Sequence, residues 1–218
     1  MTSRTIFVTG GTGYIGRRLI PILIERGHAV RALVRSESQQ KLPTGCTVIS
    51  GDALSKDSFV NEIAPADTFV QLVGVAHPSP AKAVQFRTVD FASASASIAA
   101  AAEKGIGHFV YVSVAHPAPI MESYLQVRID VEELIRASGL PATILRPLYV
   151  LGPGHWWPLI IAPAYWILER LPGTRASAQR LGLITLHEMV AALVNAIENP
   201  PDGVRILEVP EIRNIKLE

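Results

Sequence analysis

Residues 7–19 read FVTGGTGYIGRRL, and their glycines form two overlapping patterns. Gly11, Gly13 and Gly16 spell G-x-G-x-x-G, while Gly10, Gly13 and Gly16 spell G-x-x-G-x-x-G. Either spacing suits a diphosphate. The first glycine permits a sharp turn, the second lets the backbone approach the phosphates, and the third lets the following helix pack close to a sheet. The free N–H groups at the helix start then face the anion. Such a motif is weak alone and gains weight here because it follows a strand and opens a helix. Gly10, Thr12, Gly13, Tyr14, Ile15 and Gly16 are therefore the expected contacts of a dinucleotide. An NAD site expects Asp or Glu about 20 residues on, accepting from the ribose 2′-hydroxyl. The strand AVRALVRS stands there and holds no carboxylate. It offers Arg31 and Arg35, four positions apart and so on one strand face. Arg35, at the strand's end, is expected to meet a 2′-phosphate, with Arg17 as a second cation. Arg31 is expected to be a solvated strand residue. The expected cofactor is NADP, with NAD as the alternative.

Other chemistry is mostly excluded. The histidines His28, His77, His108, His116, His155 and His187 form no H-x-x-x-H and join no cysteine pair, so a metal site is not expected. Ser113 lacks a surrounding G-x-S-x-G, which argues against a hydrolase nucleophile. The net charge of +1 and the lack of a basic, aromatic stripe argue against nucleic acid. Cys46 is the single cysteine, so no internal disulfide can form, which fits a reducing compartment. The N-terminal residues show no leader pattern, and no apolar run reaches the roughly 18–20 residues of a spanning helix. The expected location is the cytoplasm.

The elements that must carry these residues alternate. Short apolar runs at residues 4–9, 28–35, 46–50, 67–74, 107–114 and 141–147 read as strands. Helical segments are expected at 14–26, with Pro21 inside, at 56–63, at 81–104 and at 122–138. This alternation predicts a doubly wound parallel sheet of the Rossmann type, with ligands past the carboxyl ends of the strands. After Pro147 the pattern loosens. A helix is expected at 186–199 and a closing strand at 203–210. The whole chain, 1–218, reads as a single domain in which 152–202 forms a small C-terminal cap. All of the tryptophans, Trp156, Trp157 and Trp166, fall in that cap. Core, lid, partner patch and membrane contact are all open readings of residues 156–168.

TGGTGYIGRRL, GDAL at residues 51–54, GHFVYVSV and YLQVRIDVEELIRASGLPATILRPLYVLGPG resemble the atypical short-chain dehydrogenase/reductase proteins. The likeness lies in the NAD(P)H-binding branch near NmrA-like proteins, sugar-nucleotide epimerase relatives and the accessory dehydrogenase-like subunit of respiratory complex I. It covers residues 5–154 well and the tail more loosely. The family motif is TGxxGxxG, which selects Gly10, Gly13 and Gly16. The resemblance puts Asp52 and Ala53 on the adenine side, and Val73 and Gly74 along the ribose and diphosphate. Catalytic members use a Tyr as general acid or base, a Lys four residues later on the same helix face, and a Ser or Thr that orients the substrate oxygen. In this sequence Tyr124 is followed by Arg128. Ser113 is retained, but Val114 occupies the catalytic hydroxyl position. Asp90 stands where extended enzymes often carry Asn. Arg presents a rigid planar fork where Lys presents a point charge, so the exchange changes the chemistry. The expected catalytic set is Tyr124, Arg128 and Ser113. For Arg128 the alternative is an exposed i,i+4 partner of Glu132. The expected activity is hydride transfer between NADP(H) and a small carbonyl, alcohol or sugar-nucleotide-like substrate. The alternative is a cofactor-holding scaffold or redox sensor. Relatives pair through the long helices, which makes a homo-oligomer an expectation for this chain.

Overall fold

A computed structural model describes residues 2–118, 120–154 and 181–217. Its strands are β1 (Thr5–Thr9), β2 (Ala29–Val34), β3 (Thr47–Ser50), β4 (Thr68–Gln71), β5 (His108–Val112), β6 (Ala142–Leu145), β7 (Tyr149–Leu151), β8 (Leu183–Thr185) and β9 (Val204–Leu207). Its helices are α1 (Gly16–Glu25), α2 (Ala83–Gln85), α3 (Ala92–Glu103), α4 (Glu122–Ser138), α5 (Leu186–Glu198) and α6 (Val209–Asn214). Seven strands form one sheet in the order β3-β2-β1-β4-β5-β6-β9, and every neighbouring pair is parallel. The chain winds outward from β1 to β3, then returns to place β4 on the other side of β1. That reversal opens a crevice beyond Thr9 and Gln71, which are register partners. This is the doubly wound Rossmann arrangement that the alternation of elements predicts.

Strand residues alternate between two apolar layers, as the period of two demands. Ile6, Val8, Ala32, Val70 and Val110 pack with α1 and α5. Phe7, Leu33, Phe69, Phe109 and Tyr111 pack with α3 and α4. In the second layer Phe7, Phe69 and Phe109 form a row across three strands, with ring centroids 5.2 and 5.4 Å apart. Helix α3 presents Ala94, Ala100 and Ala101 inward with Ser93 and Ser97, small side chains that admit close helix packing.

Several elements differ from the sequence expectation. Residues 56–63 form two single 3-10 turns, Lys56–Ser58 and Val60–Glu62, instead of a helix. The long helix expected at 81–104 is interrupted by a π-helical stretch, Phe86–Phe91, between α2 and α3. That wider turn buries both Phe86 and Asp90. Helix α1 runs through Pro21 without a break. Helix α5, expected in the cap, lies beside α1 against the sheet and contributes Met189, Val190, Leu193 and Ile197 to the core. Its start carries a capping box, with Thr185 Oγ1 accepting from the Glu188 N–H at 3.1 Å. A second, two-stranded parallel sheet joins β7 to β8. Residues 156–168 lie outside the described residues.

Candidate functional site

The glycine loop closes on itself before the helix begins. The Gly13 N–H donates to the Gly10 carbonyl at 2.9 Å, and the Arg17 N–H donates to the Gly13 carbonyl at 3.1 Å. Gly10 has φ +74, and a Cβ there would lie 2.6 Å from the Leu72 carbonyl carbon. A Cβ on Gly16 would lie 2.5 Å from the Gly10 oxygen. Side chains are therefore excluded by the β4 backbone and by the loop itself. Helix α1 starts with no side-chain cap and no acidic residue in its first turn. Its first N–H groups thus have no side-chain acceptor, the arrangement that suits a pyrophosphate. Arg17 Nε donates to the Thr12 carbonyl at 2.8 Å. It braces the loop and does not line the cavity beside Arg35.

Two adjoining cavities meet at this loop and share Gly10, Gly13, Leu72, Val73 and Gly74. The larger, about 450 Å³, lies over the ends of β1, β2 and β3 and is lined by Thr12, Arg35, Ser38, Asp52 and Ala53 as well. Arg35 directly follows β2, with a side chain 70% exposed and 3.4 Å from the Glu37 carboxylate. Ser38 was not singled out by its sequence position; it enters because the 3-10 turn Ser36–Lys41 begins directly after Arg35. Arg31 is turned away from this cavity. Its Nη2 donates to the Glu62 carbonyl at 3.0 Å. Asp52 Oδ1 accepts from the Leu54 N–H at 3.0 Å, so it shapes the turn as well as lining the cavity.

The second cavity, about 320 Å³, crosses to the ends of β4, β5 and β6. Its lining includes Tyr14, Ile15, Gly16, Ser113, Val114, Tyr124 and Arg128. The fold thus brings together the catalytic set expected from sequence. Tyr124 is half-buried, edge-on to Phe86 with ring centroids 5.1 Å apart. The Arg128 guanidinium lies 4.9 Å from the Tyr124 ring centroid and 5.8 Å from that of Tyr111. Arg128 is not the exposed partner of Glu132 considered from spacing. Its side chain is 7% exposed and its Nη2 is ion-paired with Asp90, which is fully buried. Its Nη1 donates to the Tyr111 hydroxyl at 3.0 Å and to the Val112 carbonyl at 3.2 Å. Burial works against the guanidinium charge, but Tyr111, Tyr124 and Asp90 outweigh it and hold Arg128 protonated. Burial raises the Asp90 pKa, while Arg128 and the Val75 N–H, 3.0 Å from Oδ2, pull it back. Tyr111 is pushed up to about 12 by its burial.

Ser113 has a different partner. Its hydroxyl donates to Glu132 Oε1 at 2.7 Å. Glu132, with a side chain 2% exposed, also accepts from Arg146, from Arg136 at 3.0 Å and from His116 Nε2 at 3.3 Å. Burial alone would raise the Glu132 pKa, but Arg146, Ser113 and His116 more than offset it and hold it below the ordinary value. Arg146 continues to Glu208 at 2.8 Å, tying α4 to the end of β6 and the segment after β9. Sequence reasoning missed this cluster, because its members lie on four separate segments. Gln71 was also missed. Its Oε1 accepts from Thr9 Oγ1 and from the Val73 N–H at 3.1 Å, and its Nε2 donates to Ser93 at 3.0 Å. It fixes the β4 end against β1 and α3. Among the described residues no group of three or more His, Cys, Asp or Glu could hold a metal, and no helix is long and apolar enough to cross a membrane.

A groove of this shape at the switch point of a parallel sheet suits a dinucleotide, and the family described as NAD(P)H-binding matches residues 10–152. The chain belongs to that family, among the atypical short-chain dehydrogenase/reductase proteins. It is 26% identical over 212 residues to a ceramide reductase of Caulobacter vibrioides, covering 95% of this chain and 65% of the relative. It is 24% identical over 213 residues to the photosystem II assembly factor Ycf39 of Trieres chinensis, covering 96% of this chain and 61% of that protein. The chain therefore spans less than two thirds of the length of these curated relatives. Among solved structures, the Bordetella bronchiseptica enzyme WbmH in complex with NAD+ superposes with a TM-score of 0.71 at 20% identity, over 95% of this chain and 76% of that one. The family member described here is an NAD(P)-binding protein related to oxidoreductases.

Proposed function

We propose that the chain binds NADP(H) in preference to NAD(H) and reduces a small carbonyl compound. The observation that carries the preference is Arg35, exposed in the lining of the larger cavity together with Ser38, with no carboxylate on β2. The glycine loop and the α1 start would hold the diphosphate, and Val73 and Gly74 the adjoining ribose. When bound, the reduced nicotinamide supplies hydride to the carbonyl carbon. Tyr124 would donate the proton to the carbonyl oxygen, with the Arg128 guanidinium 4.9 Å from its ring centroid. Val114 contributes shape at the position where relatives carry a hydroxyl.

Side-by-side titration with NADPH and NADH tests the preference. NADPH should bind at least ~10-fold tighter, the worth of one charge-assisted hydrogen bond to phosphate. Arg35→Glu should erase that difference, and equal or tighter NADH binding by the unaltered protein refutes the preference. Turnover of NADPH on a carbonyl panel, lost in Tyr124→Phe with binding retained, tests the reaction.

The competing reading is a protein that holds the cofactor without turnover. The commitment of the Ser113 proton to Glu132 and of Arg128 Nη2 to Asp90 favours it, because those donors are already engaged within the protein. Bound NADPH that resists oxidation across the panel would support it.

A further inference from the structure

Among the described residues lining the second cavity, Arg128 is the single charged side chain. The charge of that half of the groove is therefore set by Arg128 and by whatever neutralises it. Asp90 neutralises it from outside the lining, fully buried and ion-paired with Nη2. The pair sits against the β4 loop: a Cβ on Gly74 would lie 3.1 Å from Asp90 Oδ1 and 3.2 Å from Arg128 Nη2. Asp90 also holds that loop through the Val75 N–H at 3.0 Å.

The two redox states of a nicotinamide differ by one charge, the oxidised ring being cationic and the reduced ring neutral. A lone guanidinium in the wall would repel the oxidised ring, and in a poorly solvated site that repulsion is weakly screened. We propose that Asp90 is a positioning residue that sets the redox preference of the site, cancelling the Arg128 charge so that the oxidised dinucleotide is held as readily as the reduced one. This rests on the reading that the second cavity receives the nicotinamide.

The test is the ratio of NADP+ to NADPH affinity, measured by calorimetric titration on the full chain, with folding of each variant checked by thermal melting. Asp90→Asn leaves Arg128 unpaired and should shift the ratio toward NADPH by roughly tenfold, the effect of one unit charge across about 10 Å at an effective dielectric constant of about 20. A buried cation without its partner can prevent folding. The double variant Asp90→Asn/Arg128→Gln removes both charges, so no buried cation is left unpaired, and its ratio should match that of the unaltered protein. Arg128→Lys alone keeps the pair neutral and should leave the ratio unchanged. A purely structural pair would weaken both forms by one common factor. A ratio that stays unmoved in folded Asp90→Asn, or that shifts in the neutral double variant, overturns the proposal while leaving cofactor binding intact. Failure of the unaltered protein to bind either form overturns the functional reading and this proposal together.

Discussion

Replacing Glu132 by Gln tests whether the buried carboxylate organises the wall behind the second cavity. Glu132 accepts from Ser113, Arg146, Arg136 and His116. Gln keeps one acceptor oxygen and turns an N–H2 toward groups that are themselves donors. Removing one partner of a buried ion pair costs about 3–5 kcal/mol, because the other charge is left uncompensated. Arg146 retains Glu208 at 2.8 Å, which argues for the lower end. For a chain of this length, about 3 kcal/mol lowers Tm by ~6–12 °C. The pH dependence gives a second check. The folded pKa of Glu132 lies below its ordinary value of 4.5. Its stabilisation is therefore complete above that ordinary value and is lost as pH falls through the depressed one. The Tm gap between Glu132→Gln and the unaltered protein should be constant near neutral pH and should close in acid, below 4.5. Differential scanning calorimetry across that range reads both effects. A gap under about 2 °C, less than 1 kcal/mol in a chain of this size, would refute the cluster's role. So would a gap that stays the same on acidification.

Two further outcomes follow from the same physics. Burial first, then Arg205 and Arg4, lowers the His108 pKa from 6.5 to about 4. The neutral ring, 2.9 Å from Thr143 Oγ1, thus contributes stability that is complete above 6.5 and lost progressively down to about 4. That loss amounts to about 3 kcal/mol, and urea melts of His108→Gln should show a flatter pH slope in this window; matching slopes would count against it. Gly10→Ala places a Cβ 2.6 Å from the Leu72 carbonyl carbon at φ +74. It should cost at least ~1–2 kcal/mol from the backbone conformation alone. It should also weaken dinucleotide binding by displacing the β4 end, and unchanged affinity for NADPH would show that the loop is not the phosphate cradle.

The glycine loop, the alternation of strands and helices, and the boundaries of α4 were legible in the sequence because each is governed by neighbours in the chain. A G-x-x-G-x-x-G between an apolar run and an amphipathic one carries its own local geometry. The period of two in β1 and β4 assigns Phe7 and Phe69 to one layer and Val8 and Val70 to the other. Asp90 and Arg128 were each visible as departures from the family pattern. Their pairing was not, because 38 positions separate them and the π-helical turn that buries Asp90 leaves no periodic trace. Spacing suggested Glu132 as the partner of Arg128, since residues four apart share a helix face. The fold gives Glu132 to Ser113, Arg146, Arg136 and His116 instead. Placing α5 beside α1 likewise required the sheet, since an amphipathic helix encodes its buried face and not the surface that it meets. The sequence by itself determined the glycine loop and the helix start that follows it, because turn and helix-start geometry are local. Only the tertiary structure decided which charges sit at the cavities beside that loop, because a buried charge takes the partner that packing across distant segments brings within reach.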